Sequence, residues 1–182
     1  MKNKSNVYQM TIIGLMTAII CILGPLSIPI GVVPISFTNL AIYFVLYSIG
    51  MKRGTISYLI YILIGFIGLP VFSNFSGGPS KLLGPTGGYI IGFIFMALIA
   101  GFFIDNFSDK WYLCFTGMVL GTVVCYALGT AWLAYQANIP VSNALALGVT
   151  PFIPGDLIKV LIATFIGPKI RNSLVKANLF QV

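Results

Sequence analysis

Histidine is absent from this 182-residue chain, and only three side chains are acidic: Asp105, Asp109 and Asp156. Without histidine, imidazole general-base catalysis and imidazole metal sites are excluded. Three carboxylates, widely spread, leave no pair at acid–base spacing. No GxxxxGK[ST], HExxH, CxxC or GxSxG pattern occurs, so the phosphate-loop, zinc-protease, thioredoxin-like and esterase chemistries are missing too. A proton-driven pump normally carries several acids or histidines within its spans, and only Asp156 lies inside an apolar segment here. Cys21, Cys114 and Cys125 all fall in apolar runs without metal or redox spacing, and read as small buried hydrophobes. Charged residues make up 7% of the chain, against about 25% in soluble domains. The composition therefore excludes an ordinary soluble protein, and the chain reads as no enzyme and as needing no cofactor.

What the chain does have is apolar length: 58% of its residues are hydrophobic. A crossing of the hydrocarbon core needs about 20 mostly apolar residues, so several crossings fit and a separate soluble domain does not. Long unbroken apolar runs, without strict alternation, exclude a membrane β-barrel. The expectation is an all-α integral membrane protein, a single transmembrane domain over residues 1–182, with six spans. The first covers Val7–Gly24, where Gly14 and Ala18 form a small-xxx-small stripe suited to close helix approach. That stripe serves either packing within the chain or docking onto a partner subunit. The second covers Ile35–Ile49, and the third Gly54–Leu69 after a basic turn at Lys52–Arg53. The fourth runs Thr86–Phe103, the fifth Trp111–Ala137, and the sixth starts at Pro154 and ends near Gly167. A short helix is expected at Val141–Leu147. The Pro25–Pro34 stretch, with three prolines and a glycine, cannot be regular helix. Being apolar and irregular, it must be covered by protein or cap a cavity.

Orientation follows from the cations. With the N-terminus inside, Lys2, Lys4, Lys52, Arg53, Lys110, Lys169, Arg171 and Lys176 all fall on the inner side, leaving only Lys81 and Lys159 outside. This asymmetry predicts cytoplasmic termini in the cell membrane. It also accounts for the net charge of +7 without nucleic acid as a partner. The outer side then collects Pro25–Pro34, the long 70–85 loop, the Thr86-Gly87-Gly88-Tyr89 entry to the fourth span, and Asp156 with Lys159.

Asp156 and Lys159, three apart at the start of the last span, share one helix face. Charges at that depth usually face a bundle interior or wet cavity. They read either as a ligand site or as an internal ion pair that only fixes the helix. An ionised Asp156 accepts N–H donors and Lys159 donates, which together suit a neutral, amide-like group. Thr38 and Asn39 add hydrogen-bonding groups at the mouth of the second span, or simply cap it. Phe72, Phe75 and Tyr89 offer an apolar slot. Lys81, or the backbone N–H groups at Gly87 and Gly88, suit a carboxylate, unless Thr86 only caps a plain turn.

Three stretches resemble one family. PVFS followed by a glycine pair, LxGPTGGYxxGF from Leu82 to Phe93, and PFIPGDxxK from Pro151 to Lys159 are similar to the BioY family, the biotin-specific substrate-capture (S) component of energy-coupling-factor (ECF) transporters. The Pro-rich loop leading into VPISFTN is similar as well. The resemblance implies a six-helix S-component fold, outward-side biotin binding, and partners: a transmembrane coupling subunit and two ATP-binding subunits. It implies that small residues of the first helix, here Gly14 and Ala18, face the coupling subunit, although Ile22 departs from that pattern. Biotin's ureido ring would meet Asp156 and Lys159, helped by Asn39, with its carboxylate toward Lys81 and the TGGY entry. The reverse pose stays open, and an S component for another vitamin and a stand-alone vitamin facilitator are the alternatives.

Overall fold

The computed structural model describes residues 6–29, 33–177 and 179. Lys2 and Lys4, part of the charge asymmetry, and residues 30–32 of the proline-rich loop lie outside them.

Helix α1 spans Asn6–Leu23 and buries little: only Thr17 and Ile20 are enclosed. Thr17 donates its hydroxyl to Ile13 O at 2.9 Å and to Ser57 O at 3.2 Å, which fastens α1 to the next helix. Gly14 and Ala18 face outward, and a Cβ placed on Gly14 would meet nothing within 4 Å. After α1 the chain forms a minute antiparallel pair, β1 (Ser27–Ile28) with β2 (Ile35–Ser36). Because Ile35 and Ser36 are taken up by this pairing, the second span begins at Thr38 rather than at Ile35.

Helix α2, Thr38–Phe66, is two arms in one. At Gly50 the backbone takes φ 81° and ψ 172°, a conformation reserved for glycine. The chain then doubles back, bringing Gly54 against Leu46 and Val45. The basic turn expected at Lys52–Arg53 is therefore two residues late, and these cations sit in the first turn of the second arm. Asp105 holds the corner, its Oδ2 accepting the Met51 N–H at 2.7 Å. Its Oδ1 accepts from Arg171 at 3.1 Å, and Arg171 also donates to Ile104 O at 3.2 Å.

The second arm stops at Phe66, ahead of Gly68 at φ 113°. The long loop after it contains one tight turn at Ser73–Phe75 and a short helix α3, Pro79–Leu83. Helices α4 (Gly87–Asn106) and α5 (Trp111–Ala137) then pack closely, because glycines on one face backbone or side chains of the other. Gly88 fits against Trp132, Gly92 against Cys125, and Gly121 against Met96. Asn138, in the left-handed region at φ 52°, ends α5. The anticipated short helix is α6, Val141–Gly148, and α7 covers Ile153–Lys176.

Helices α1, α4 and α5 are each long and apolar enough to cross a bilayer, and the pair α6–α7, bent by 51°, makes a fourth candidate. The two arms of α2, each shorter than the other spans, bring the bundle to six helical passes, approximately the six spans expected. One end of the bundle carries β1–β2, the 70–85 loop and α6. The other carries the Gly50 corner, Lys110 and the C-terminal turns of α7.

Candidate functional site

The loop-bearing end holds a chamber whose atom-free space, mouth included, is about 690 Å³. Its polar wall starts at α7. Pro154 sits in the first turn, where its missing N–H costs nothing, and Asp156 follows near the positive helix end. Asp156 and Lys159 are both buried and paired, Lys159 Nζ to Asp156 Oδ1 at 2.9 Å. Lys159 also donates to the Ser36 backbone carbonyl at 2.6 Å, so the amine that neutralises Asp156 ties down β2 as well. The Phe37 ring lies 5.8 Å from the ammonium. The other carboxylate oxygen, Oδ2, accepts the Tyr126 hydroxyl at 2.6 Å. Behind Tyr126, Tyr43 donates to Thr122 at 2.7 Å and Thr122 donates to Met118 O at 2.8 Å. Every hydroxyl of that row has a defined partner, so the wall is fixed before any guest arrives.

The facing wall is aromatic. Tyr58 and Tyr61 of the second α2 arm lie 5.4 Å apart between ring centroids, with Phe72 5.5 Å from Tyr61 and Phe93 6.2 Å from Tyr58. Their hydroxyls turn away: Tyr58 donates to Ile90 O at 2.8 Å and Tyr61 to Val71 O at 3.0 Å. The rings are thus presented to the chamber as apolar faces. Tyr89, donating to Gly148 O at 3.0 Å, closes the side toward α6.

Of the residues singled out in the sequence, Asp156, Lys159, Thr38, Asn39, Phe72, Thr86 and Tyr89 line this chamber. Lys81, Gly87 and Gly88 do not. Gly87 is small because Leu82 O occupies the place of a Cβ, and Gly88 because Trp132 does. The Gly87 N–H is taken up by Gly84 O at 3.0 Å. These glycines serve close packing against Leu82 and Trp132. Lys81 lies on α3, partly buried, where desolvation pushes its amine below the usual lysine range. Phe75 is 66% exposed and outside the slot expected of it. Thr86 makes no side-chain capping bond, so its hydroxyl is not consumed in that role. Sequence reasoning missed Tyr126, Thr122, Tyr58, Tyr61 and Phe93. They come from mid-helix positions whose only local signal is an aromatic or hydroxyl residue in an apolar run.

Among the described residues, no nucleophile stands beside a base in this chamber. It offers an ionised acceptor, an ammonium donor, hydroxyl and amide groups, and an aromatic slot, all of which suit recognition of a small molecule.

Comparison with known proteins gives the same picture. The biotin transporter BioY2 of Lactococcus lactis subsp. cremoris is 34% identical over 177 residues, covering 97% of both chains. The biotin transporter BioY of Thermotoga maritima is 38% identical over 160 residues, 87% of this chain and 93% of that one. A crystal structure of the S-component for biotin from an ECF-type ABC transporter superposes with TM-score 0.85 at 36% identity, covering 94% of this chain and 95% of the other. These relatives are transporters, not enzymes. With the BioY family model matching residues 1–176, the chain belongs to the BioY family.

Proposed function

We propose that this chain captures biotin from outside the cell and delivers it inward as the S component of an ECF-type transporter. The observation that carries the reading is the enclosed Asp156–Lys159 pair, with Tyr126 on the free carboxylate oxygen, facing an aromatic slot. Biotin's ureido ring has two N–H donors and one carbonyl. Asp156 accepts the former through remaining lone pairs, and Lys159 donates its third proton to the latter. Asn39 adds a side-chain amide at the same wall. The thiophane ring fills the slot between Phe72, Tyr58 and Phe93. The carboxylate-ended chain runs toward Thr86 and the mouth, since Lys81 and the Gly87 and Gly88 amides are outside the chamber.

Energy comes from elsewhere, because the chain has no ATP-binding loop. A transmembrane coupling subunit and two ATP-binding subunits supply it, with the outward-facing Gly14 and Ala18 of α1 as the docking stripe. Both termini are cytoplasmic in the cell membrane, which puts Lys52, Arg53, Lys110, Lys169, Arg171 and Lys176 on the inner side.

The test is titration of the detergent-purified chain with biotin, riboflavin and thiamine, alongside mass analysis of any copurified molecule. Biotin should bind alone among the three, and Asp156→Asn should abolish high affinity. Unchanged affinity in that variant would remove Asp156 from the site. Uptake that survives loss of the ATP-binding subunits would favour a stand-alone facilitator.

A further inference from the structure

The wall that carries Asp156 has a second side. Thr122, Tyr126 and Asp156 line the ligand chamber and also a separate cleft between α5 and α7. The remainder of that cleft is aliphatic, formed chiefly by Val119, Val123 and Ala127 of α5 with Leu145, Leu157 and Val160 opposite. Its free space, mouth included, is about 960 Å³. The cleft exists because α5 is drawn along its length onto α4 by the glycine contacts, while the 51° bend between α6 and α7 holds the start of α7 away.

We propose that this cleft seats one hydrocarbon chain of a bilayer lipid, and that the seated chain raises ligand affinity by keeping the Tyr126–Asp156 bond dry. Three features select this occupant. The cleft lies between helices long and apolar enough to cross a membrane, and Val123, Leu145 and Leu157 of its lining are exposed, so lipid is what it meets. Among the described residues its lining holds no cation, so it takes a hydrocarbon tail and not a phosphate headgroup. From Val119 to Ala127 the groove follows α5 through eight residue steps, about 12 Å at 1.5 Å each. That is most of the roughly 15 Å that one leaflet contributes to a ~30 Å hydrocarbon core.

The coupling follows from the thinness of the partition. Tyr126 and Asp156, joined by a 2.6 Å hydrogen bond to Asp156 Oδ2, line both cleft and chamber, with Thr122 beside them. Water behind the carboxylate would compete for its lone pairs and raise the local dielectric, weakening every contact the carboxylate makes in front. An acyl chain excludes that water. This second half rests on the reading of Asp156 as a biotin ligand; the first half does not.

The experiment uses the full chain in nanodiscs of phosphatidylcholine bearing a photoreactive diazirine mid-chain, with adducts mapped by peptide mass. Adducts should concentrate on residues 119–127 and 145–160, well above those on the exposed Leu98 and Phe102 of α4. Ala127→Phe, filling the cleft from an exposed position, should remove that excess and leave the α4 adducts unchanged. Biotin affinity of the parent chain should fall at least about fivefold on transfer to a short-chain detergent, as for one weakened charged hydrogen bond, and Ala127→Phe should flatten the difference. Adducts spread evenly around the belt would overturn the lipid seat. So would cross-linking of two copies through Val123→Cys with adducts depleted there, since a second chain would then be the occupant. An affinity indifferent to both lipid and Ala127→Phe would overturn the coupling. Because adducts are read without biotin, a chain that fails to bind biotin defeats the functional proposal and leaves the cleft result standing.

Discussion

Replacing Lys159 by Met keeps most of the apolar stem of the side chain and removes its charge together with its N–H donors. At 2.9 Å from Asp156 Oδ1, the gross attraction is about 6 kcal/mol for an effective dielectric near 20. Part of this offsets the cost of taking the ammonium out of water. What remains after Lys159→Met is an enclosed carboxylate with Tyr126 as its surviving donor, and a Ser36 carbonyl without the Lys159 bond. Removing one partner of such a pair costs about 3–5 kcal/mol. For a chain of this size, each kcal/mol moves the melting point by roughly 2–4 °C. The variant should therefore melt at least ~6 °C below the parent in the same detergent. Asp156→Asn with Lys159→Met leaves two uncharged groups of similar volume, and should recover more than about 2 kcal/mol of the summed single losses. Biotin affinity should not recover, because the acceptor and donor proposed for the ureido ring are both gone. Melting curves and biotin titrations on the four proteins separate the two roles. If the single-variant losses simply add, to within ~0.5 kcal/mol, the pair is not coupled and the electrostatic reading of the site is wrong.

Tyr126→Phe takes one donor from Asp156 and leaves the ring in place; a hydrogen bond to a charged group is worth about 1.5–3 kcal/mol, so the variant should melt roughly 3–12 °C lower and bind biotin more weakly. Gly50→Ala forces a Cβ into the glycine-only conformation, 3.2 Å from Asp105 Oδ2, and should cost about 1–3 kcal/mol in thermal stability. Lys81→Met should leave biotin affinity unchanged, since Lys81 is not in the chamber lining. The same variant tests the sign of its titration. A lysine whose folded pKa is depressed is a burden at neutral pH, and the burden lifts as pH rises from the folded value toward the unfolded value of about 10.4. Lys81→Met should melt higher than the parent at pH 7, and the gap should close toward that alkaline limit.

The enclosed Asp156–Lys159 pair is legible in the sequence because both clues are local: a scarce charge type inside an apolar run, and a spacing that puts two side chains on one helix face. The span count is legible for the same reason, since apolar length and proline or glycine punctuation need no tertiary information. Tyr126 is not. Its value lies in one hydroxyl meeting a carboxylate 30 residues away, which depends on how α5 and α7 approach. Gly87 and Gly88 fail in the opposite direction. A glycine pair at a helix start signals close approach, but the approaching atoms belong to Leu82 and Trp132, and sequence alone does not distinguish protein from guest. The turn expected at Lys52–Arg53 slips because cations mark the polar end of a hairpin, whereas the bend itself falls where φ can be positive.

The corner at Gly50 concentrates fragility in a single carboxylate. Asp105 terminates a backbone N–H from one helix and a guanidinium from another. One substitution there takes the acceptor from the Met51 N–H and the counter-charge from the buried Arg171, which keeps Ile104 O. Position 105 should therefore tolerate replacement less well than the lipid-facing positions around it. A screen for variants that fail to accumulate in the membrane would find this inner clasp as readily as the polar chamber at the far end.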